Sequence, residues 1–267
     1  MLKTEIKNKI QKLSAEYSKE MIELRRTIHS NPETAFKEFE TTKLLYNRLN
    51  KKGLDKVSRI SETGLYALIS GNRGKCIALR ADIDALPITE NTGLKFASKN
   101  PGFMHACGHD AHSAMVYGAA LILKDLKKEL KGSVKFIFQP AEEKNPGGAS
   151  ILIENGILRN PKVDAIFGQH ILPGKLAGKV GFYPGVMMAS QDEIYITIKG
   201  KAGHGAKPQS AIDPIVIASQ VVLALQTIVS RNTDPYEPIV ITIGKFVGGT
   251  INNVIPDTAE LSGTVRT

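Results

Sequence analysis

Tryptophan is absent from the 267 residues, and cysteine occurs only twice, at Cys76 and Cys107. Two cysteines give no disulfide framework. Cys76, inside the run KCIALR, reads as a small buried hydrophobe. Long hydrophobic runs are also missing. The longest unbroken one, Ala114 to Leu123, falls short of the roughly 20 residues of a membrane-spanning helix. The opening MLKTEIKNKIQKL alternates lysine with apolar residues, so no secretory signal is expected and the expected compartment is the cytoplasm. There is no repeat and no linker rich in Gly, Ser or Pro. What remains is a globular composition, 42% hydrophobic and 23% charged, long enough for one large domain or two modest ones. Basic residues outnumber acidic ones, 35 to 26, for a net charge of +9. The lysines are scattered and interleave with no aromatic stripe, which reads as a solvated basic surface. Neither nucleic acid nor membrane is an expected partner.

Apolar residues at Ile6, Ile10, Leu13, Tyr17, Met21, Leu24 and Ile28 step by three and four, the mark of an amphipathic helix. Asn31-Pro32 stops it, and a second helix is expected over 38–49. Strand-length apolar runs follow at 65–70, 76–81, 134–138 and 163–168, with a long helix over 111–130 and a shorter one after Gly147-Gly148. Near-continuous apolar strands alternating with helices predict a sheet covered on both faces. After Pro184-Gly185 the pattern changes. The run EIYITIK alternates with period two, a helix capped by Asp213 begins at Pro214, and half-buried strands follow at 239–246 and 259–266. These predict a first domain over 1–186 and a second, smaller α+β domain over 187–267. A β-α-β-β order ending at Thr267 lacks one helix and one strand of a split β-α-β layer, so the sequence reads as truncated.

The segment Met104-His105-Ala106-Cys107-Gly108-His109-Asp110-Ala111-His112 packs a thiol and three imidazoles into a loop-to-helix junction. Cys107 and His109 can face one metal ion across a tight turn at Gly108; the bland alternative is solvent-exposed histidines beside an N-cap at Asp110. Gln139-Pro140-Ala141-Glu142-Glu143 puts adjacent carboxylates just past a strand, where open α/β sheets place ligands. One can bind metal while the other faces a water, the division of labour of metal-assisted hydrolysis. His170 ends another strand and completes a set of Cys107, His109, Glu143 and His170, whose mixed donors suit zinc or another late first-row ion. Asp82 and Asp84, in RADIDALP, either fix a ligand histidine or serve as turn residues before Pro87. His29 reads as a helix C-terminal residue favoured by the dipole.

In this order RADIDALP, MHACGHDAH, QPAEE, GQH and GKAGHGAKP resemble the metal-dependent amidohydrolases of the aminoacylase/carboxypeptidase superfamily. The branch is that of indole-acetyl-amino-acid hydrolases, hippurate hydrolases and N-acetyl-diaminopimelate deacetylases. The resemblance implies a mixed-sheet, three-layer α/β catalytic domain carrying two divalent metal ions (zinc, manganese, cobalt or nickel), with an inserted ferredoxin-like lid that also makes a homodimer. It implies Cys107, His109, Glu143 and His170 as metal ligands and Glu142 as general base. It further implies Asp84 as the carboxylate that orients a ligand, and His204 and Asn253 as lid residues that touch an N-acyl amino acid substrate. Members of the family continue past the length seen here and supply a further histidine ligand from a returning segment; no histidine follows His204. The expected activity is hydrolysis of the amide bond of N-acyl amino acids. The alternative is a non-catalytic, truncated relative that binds acyl amino acids or dimerises.

Overall fold

The computed structural model describes residues 4–71, 74–186 and 188–267. They divide into two compact units, the first reaching Lys175 and the second spanning Leu176–Thr267. The stretch 176–186 is exposed and irregular, so hydropathy patterning does not mark this division, and the change of pattern at 186/187 lies beyond it.

In the first unit the helices are α1 (Thr4–Ser30), α2 (Phe39–Lys51), α3 (His109–Asp125) and α4 (Gly148–Glu154). The strands are β1 (Lys56–Arg59), β2 (Leu65–Ile69), β3 (Cys76–Asp82), β4 (Ser133–Gln139) and β5 (Val163–Gly168). They form one mixed sheet in the order β1-β2-β4-β3-β5. β1, β2 and β4 pair antiparallel, while β3 runs parallel to both β4 and β5. Strand alternation sorts the core into two layers. Leu65, Ala67, Val134, Phe136 and Phe138 pack with Leu24 and Ile28 of α1, Leu45 of α2 and Tyr117 of α3. Tyr66, Ala78 and Ile137 point the other way, onto Leu152 of α4 and Ile157. β2 and β4 are therefore covered on both faces, as their apolar runs required; the apolar run of β5 is not, and its Ile166 and Phe167 are exposed. Lys135 interrupts the apolar run of β4, yet it is only 1% exposed. Its Nζ donates to the carbonyls of Ile157, Asn160 and Pro161 at 2.5, 3.3 and 3.2 Å, which satisfies a buried charge with the turn after α4.

The second unit holds β6 (Gln191–Lys199), β7 (Gly203–His204), α5 (Pro214–Thr227), β8 (Val240–Gly248), β9 (Val254–Ile255) and β10 (Thr258–Arg266). β6, β10 and β8 make an antiparallel sheet with β10 in the middle. Ala218, Val221 and Val222 of α5 pack on Ala259, Leu261 and Ile196. The Asp213 carboxylate accepts from the Ile215 and Val216 N–H groups and caps α5. The helical stretch Pro214–Asn232 is long and apolar enough by composition to cross a membrane. Here its inner face lies on the sheet, and Val216 and Leu223 remain exposed.

Candidate metal centre

The parallel strands β3, β4 and β5 end side by side, and α3 starts above them. Gly108 sits at φ +85°, a left-handed conformation that costs glycine little. It turns the chain so that α3 begins on His109, two residues before the expected start. Asp110 therefore lies inside the first turn and does not cap the helix. Its Oδ2 accepts from Arg25 Nε at 3.0 Å and from His29 Nδ1 at 2.9 Å. His29 is thus more than a dipole-favoured helix end: its Nε2 also meets Glu90 at 3.2 Å.

His109 Nδ1 lies 2.8 Å from the Asp84 carbonyl oxygen and 3.1 Å from Asp84 Oδ1. Both can only accept, so Nδ1 carries the proton and Nε2 the lone pair. That Nε2 is buried and has no hydrogen-bond partner among the described residues. It faces Glu143 Oε1 at 3.8 Å and Asp82 Oδ2 at 3.7 Å. Donor atoms of Cys107, His109 and His170 lie within 4.8 Å of one another, as do those of His109, Glu142 and Glu143. Cys107 Sγ is 3.3 Å from His170 Nε2, and His170 Nδ1 donates to the Ile171 carbonyl at 2.7 Å. The second oxygen of Asp84 accepts the Glu143 N–H at 3.0 Å, so one carboxylate ties together the β3, β4 and α3 ends.

Charge at this point is strongly one-sided. Asp82, Asp84, Glu142 and Glu143 converge, with Arg80 as the neighbouring guanidinium, 2.8 Å from Asp82. Burial, together with a hydrogen bond to Glu143 and the charges of Glu143, Glu142 and Asp82, pushes the Cys107 thiol up to about 12. Burial and the Glu143 charge likewise raise Glu142 above the usual carboxylate range. Asp82 goes the other way. Burial opposes its ionisation, but the His112 hydrogen bond and the His109 and Arg80 charges outweigh that and hold it at about 2. An orphaned imidazole lone pair, a thiol and clustered carboxylates are what a divalent cation would satisfy. The donor set fits a metal.

Of the residues singled out in the sequence, Cys107, His109, Glu142, Glu143, His170 and Asp84 come together here. His204 and Asn253 belong to the second unit and lie beside one another there. His204 of β7 pairs with Val254, and the Gly205 N–H donates to the Asn253 carbonyl at 2.8 Å. His204 Nδ1 accepts from the Ala206 N–H at 3.0 Å, so its exposed Nε2 carries the proton. His105 stands apart from the donor groups. It is buried, its ring nitrogens have no partner among the described residues, and burial lowers it to about 4. Two participants were read in the sequence without a place in the site, and a third, Glu38, was not read at all. Asp82 was one of a pair of which only Asp84 was carried forward. His112 carried the right chemistry without an assigned place. Glu38, fully buried, accepts the Ala141 N–H at 2.8 Å and so pins the turn bearing Glu142 and Glu143; no local pattern links residues so far apart.

The sequence profile described as "Peptidase family M20/M25/M40" matches residues 78–260, more than half of the chain. The chain belongs to peptidase family M20/M25/M40. It is 45% identical over 262 residues to an N-acyl-L-amino acid amidohydrolase of Geobacillus stearothermophilus, covering 98% of this chain and 70% of that one. A crystal structure from methicillin-resistant Staphylococcus aureus superposes with a TM-score of 0.89 at 44% identity, over 96% of this chain and 68% of that one. A Bacillus subtilis structure described as a dinuclear metal-binding peptidase of the M20 family gives 0.77 at 43% identity, over 95% and 65%. The chain thus spans about two thirds of the length of these relatives. Its mixed sheet and covering helices are those of the M20 metallo-hydrolase fold.

Proposed function

We propose that the protein is a metal-dependent amidohydrolase that cleaves the amide bond of N-acyl amino acids, releasing a carboxylate and an amino acid. The observation that carries this is the His109 Nε2 lone pair, buried and unshared among Cys107, His170, Glu142 and Glu143. Cys107, His109, Glu143 and His170 would hold two divalent ions, with zinc, manganese, cobalt and nickel the candidates. When bound, the ions would polarise the amide carbonyl and lower the pKa of a water.

The chain's own residues do the rest. Asp84 keeps the His109 ring in the tautomer whose lone pair faces the ions. Glu142, raised above the usual carboxylate range, takes a proton from the water that adds to the carbonyl carbon. As the carbon–nitrogen bond breaks, Glu142 returns that proton to the amine nitrogen. The second unit acts as a lid that also docks a second copy, a reading supported by the exposed Val216 and Leu223 of α5. The Nε2–H of His204 donates to the oxyanion as it develops, and Asn253 touches the substrate. The partners are then a small N-acyl amino acid and a second subunit, in the cytoplasm.

The test is hydrolysis of N-acetyl, N-benzoyl and N-succinyl amino acids with each metal, by the wild-type chain and by Glu142→Gln. Glu142→Gln is expected to lower kcat by roughly 100- to 10,000-fold, the usual worth of a general base, with metal content unchanged. Full turnover by Glu142→Gln, or no turnover by the wild type with any metal, would overturn the reading.

A further inference from the structure

His112 offers a competing ligand set. Donor atoms of Asp82, His109 and His112 lie within 4.8 Å of one another, and all three residues are buried. The hydrogen bonds decide against it. The Ile171 N–H, which can only donate, points at His112 Nε2 at 3.0 Å. Nε2 therefore spends its lone pair on that bond, and Nδ1 carries the proton toward Asp82 Oδ1 at 2.6 Å. Asp82 Oδ2 is taken by Arg80 Nη1 at 2.8 Å. His112 has no lone pair left for a metal.

What His112 holds is the residue after His170. The Ile171 backbone is held at both of its polar groups: the N–H donates to His112, and the carbonyl accepts from His170 Nδ1. The second of these bonds turns His170 Nε2 toward Cys107. The two imidazoles pack edge to face with centroids 4.6 Å apart, and the Gln169 side-chain amide donates to the His112 carbonyl at 3.4 Å. We propose that His112 is a positioning residue: locked in its Nδ1–H tautomer by Asp82, it seats Ile171 and thereby aims the His170 lone pair, without itself ligating metal. This rests on the metal reading above.

The experiment compares zinc affinity, by competition with a chromophoric chelator, in the wild type, His112→Gln and His112→Asn. The Gln Oε1 reaches the place of Nε2 and keeps an acceptor for Ile171; the Asn amide reaches only the place of Nδ1 and loses it. Asn is expected to bind zinc roughly 10- to 100-fold more weakly, the usual cost of losing a residue that orients a ligand. Gln should stay within about threefold of wild type, by the same acceptor argument. All three should bind the same number of ions. Asn binding as tightly as wild type, or Gln as weak as Asn, overturns the proposal. Should either variant fail to fold, imidazole 15N spectra of the wild type decide. His112 is expected as the Nδ1–H tautomer, with shifts that zinc leaves in place while those of His109 and His170 move. The opposite tautomer, or a zinc-induced shift at His112 as large as at His170, overturns it. A wild-type chain that takes up no zinc defeats the metal reading and this proposal together; equal tight binding by all three defeats this proposal alone.

Discussion

His29 joins the end of α1 to the start of α3 through Asp110 and to the loop at Glu90. The Asp110 hydrogen bond, opposed by burial and helped by Glu90, raises its pKa above the ordinary value. A raised histidine stabilises the fold fully below its unfolded pKa of about 6.5, and that contribution fades as pH climbs through the folded value. Urea unfolding of metal-free wild type and His29→Gln should therefore differ most near pH 6 and converge toward alkaline pH. A difference that widens with rising pH would contradict the ion-pair account. This clamp was not legible in the sequence, because α1 and α3 lie some eighty positions apart and helix periodicity gives only the buried face. Cys107, His109, Glu142 and Glu143 were legible because each cluster is local and ends a recognisable strand or opens a helix. Glu38 carries no such signal. It looks like an ordinary charge at a helix start, and only the folded chain brings it to Ala141.

The turn after β4 shows how an element fixes the carboxylates. Ala141 adopts φ +48°, unusual for a residue with a Cβ. Its N–H goes to Glu38 and its carbonyl accepts from Gly148 N–H at 2.8 Å. A Cβ on Gly148 would stand 1.8 Å from the Pro140 carbonyl oxygen, so Gly148→Ala must displace backbone at the start of the same turn. Glu142 and Glu143 would shift with it, and kcat/KM for an N-acyl amino acid is expected to fall about 100-fold, as for a displacement near 1 Å, while circular dichroism stays native. An alanine variant with wild-type kcat/KM would show that the turn does not set the carboxylates. Hydropathy patterning gave β2, β3, β4 and β5 as near-continuous apolar runs, and the strands beneath α5 by period-two alternation, nearly to their ends. It could not give β1, a four-residue strand half-exposed on the sheet margin, or the two-residue ladder of β7 and β9 that brings His204 to Asn253. Those pairings are fixed by partners distant in sequence, not by local pattern.

Across the whole molecule, the proposed ligands all belong to the first unit, whereas His204 and Asn253 belong to the second. Metal binding should therefore stabilise the first unit directly, by about 2.7 kcal/mol at a free metal concentration one hundred times Kd. Amide hydrogen exchange would read this as slower opening of β3 and β4 on adding zinc, reversed by a chelator. Unchanged exchange there would place the metal elsewhere. The central claim is narrower: a thiolate and two imidazoles share metal while the neighbouring Glu142 stays free to carry a proton. Cobalt(II) titration of the chelator-stripped chain tests it most directly. A near-ultraviolet thiolate-to-cobalt charge-transfer band is expected in wild type and Glu142→Gln, and its loss in Cys107→Ser. No cobalt uptake by the wild type, or a band that survives in Cys107→Ser, would contradict it.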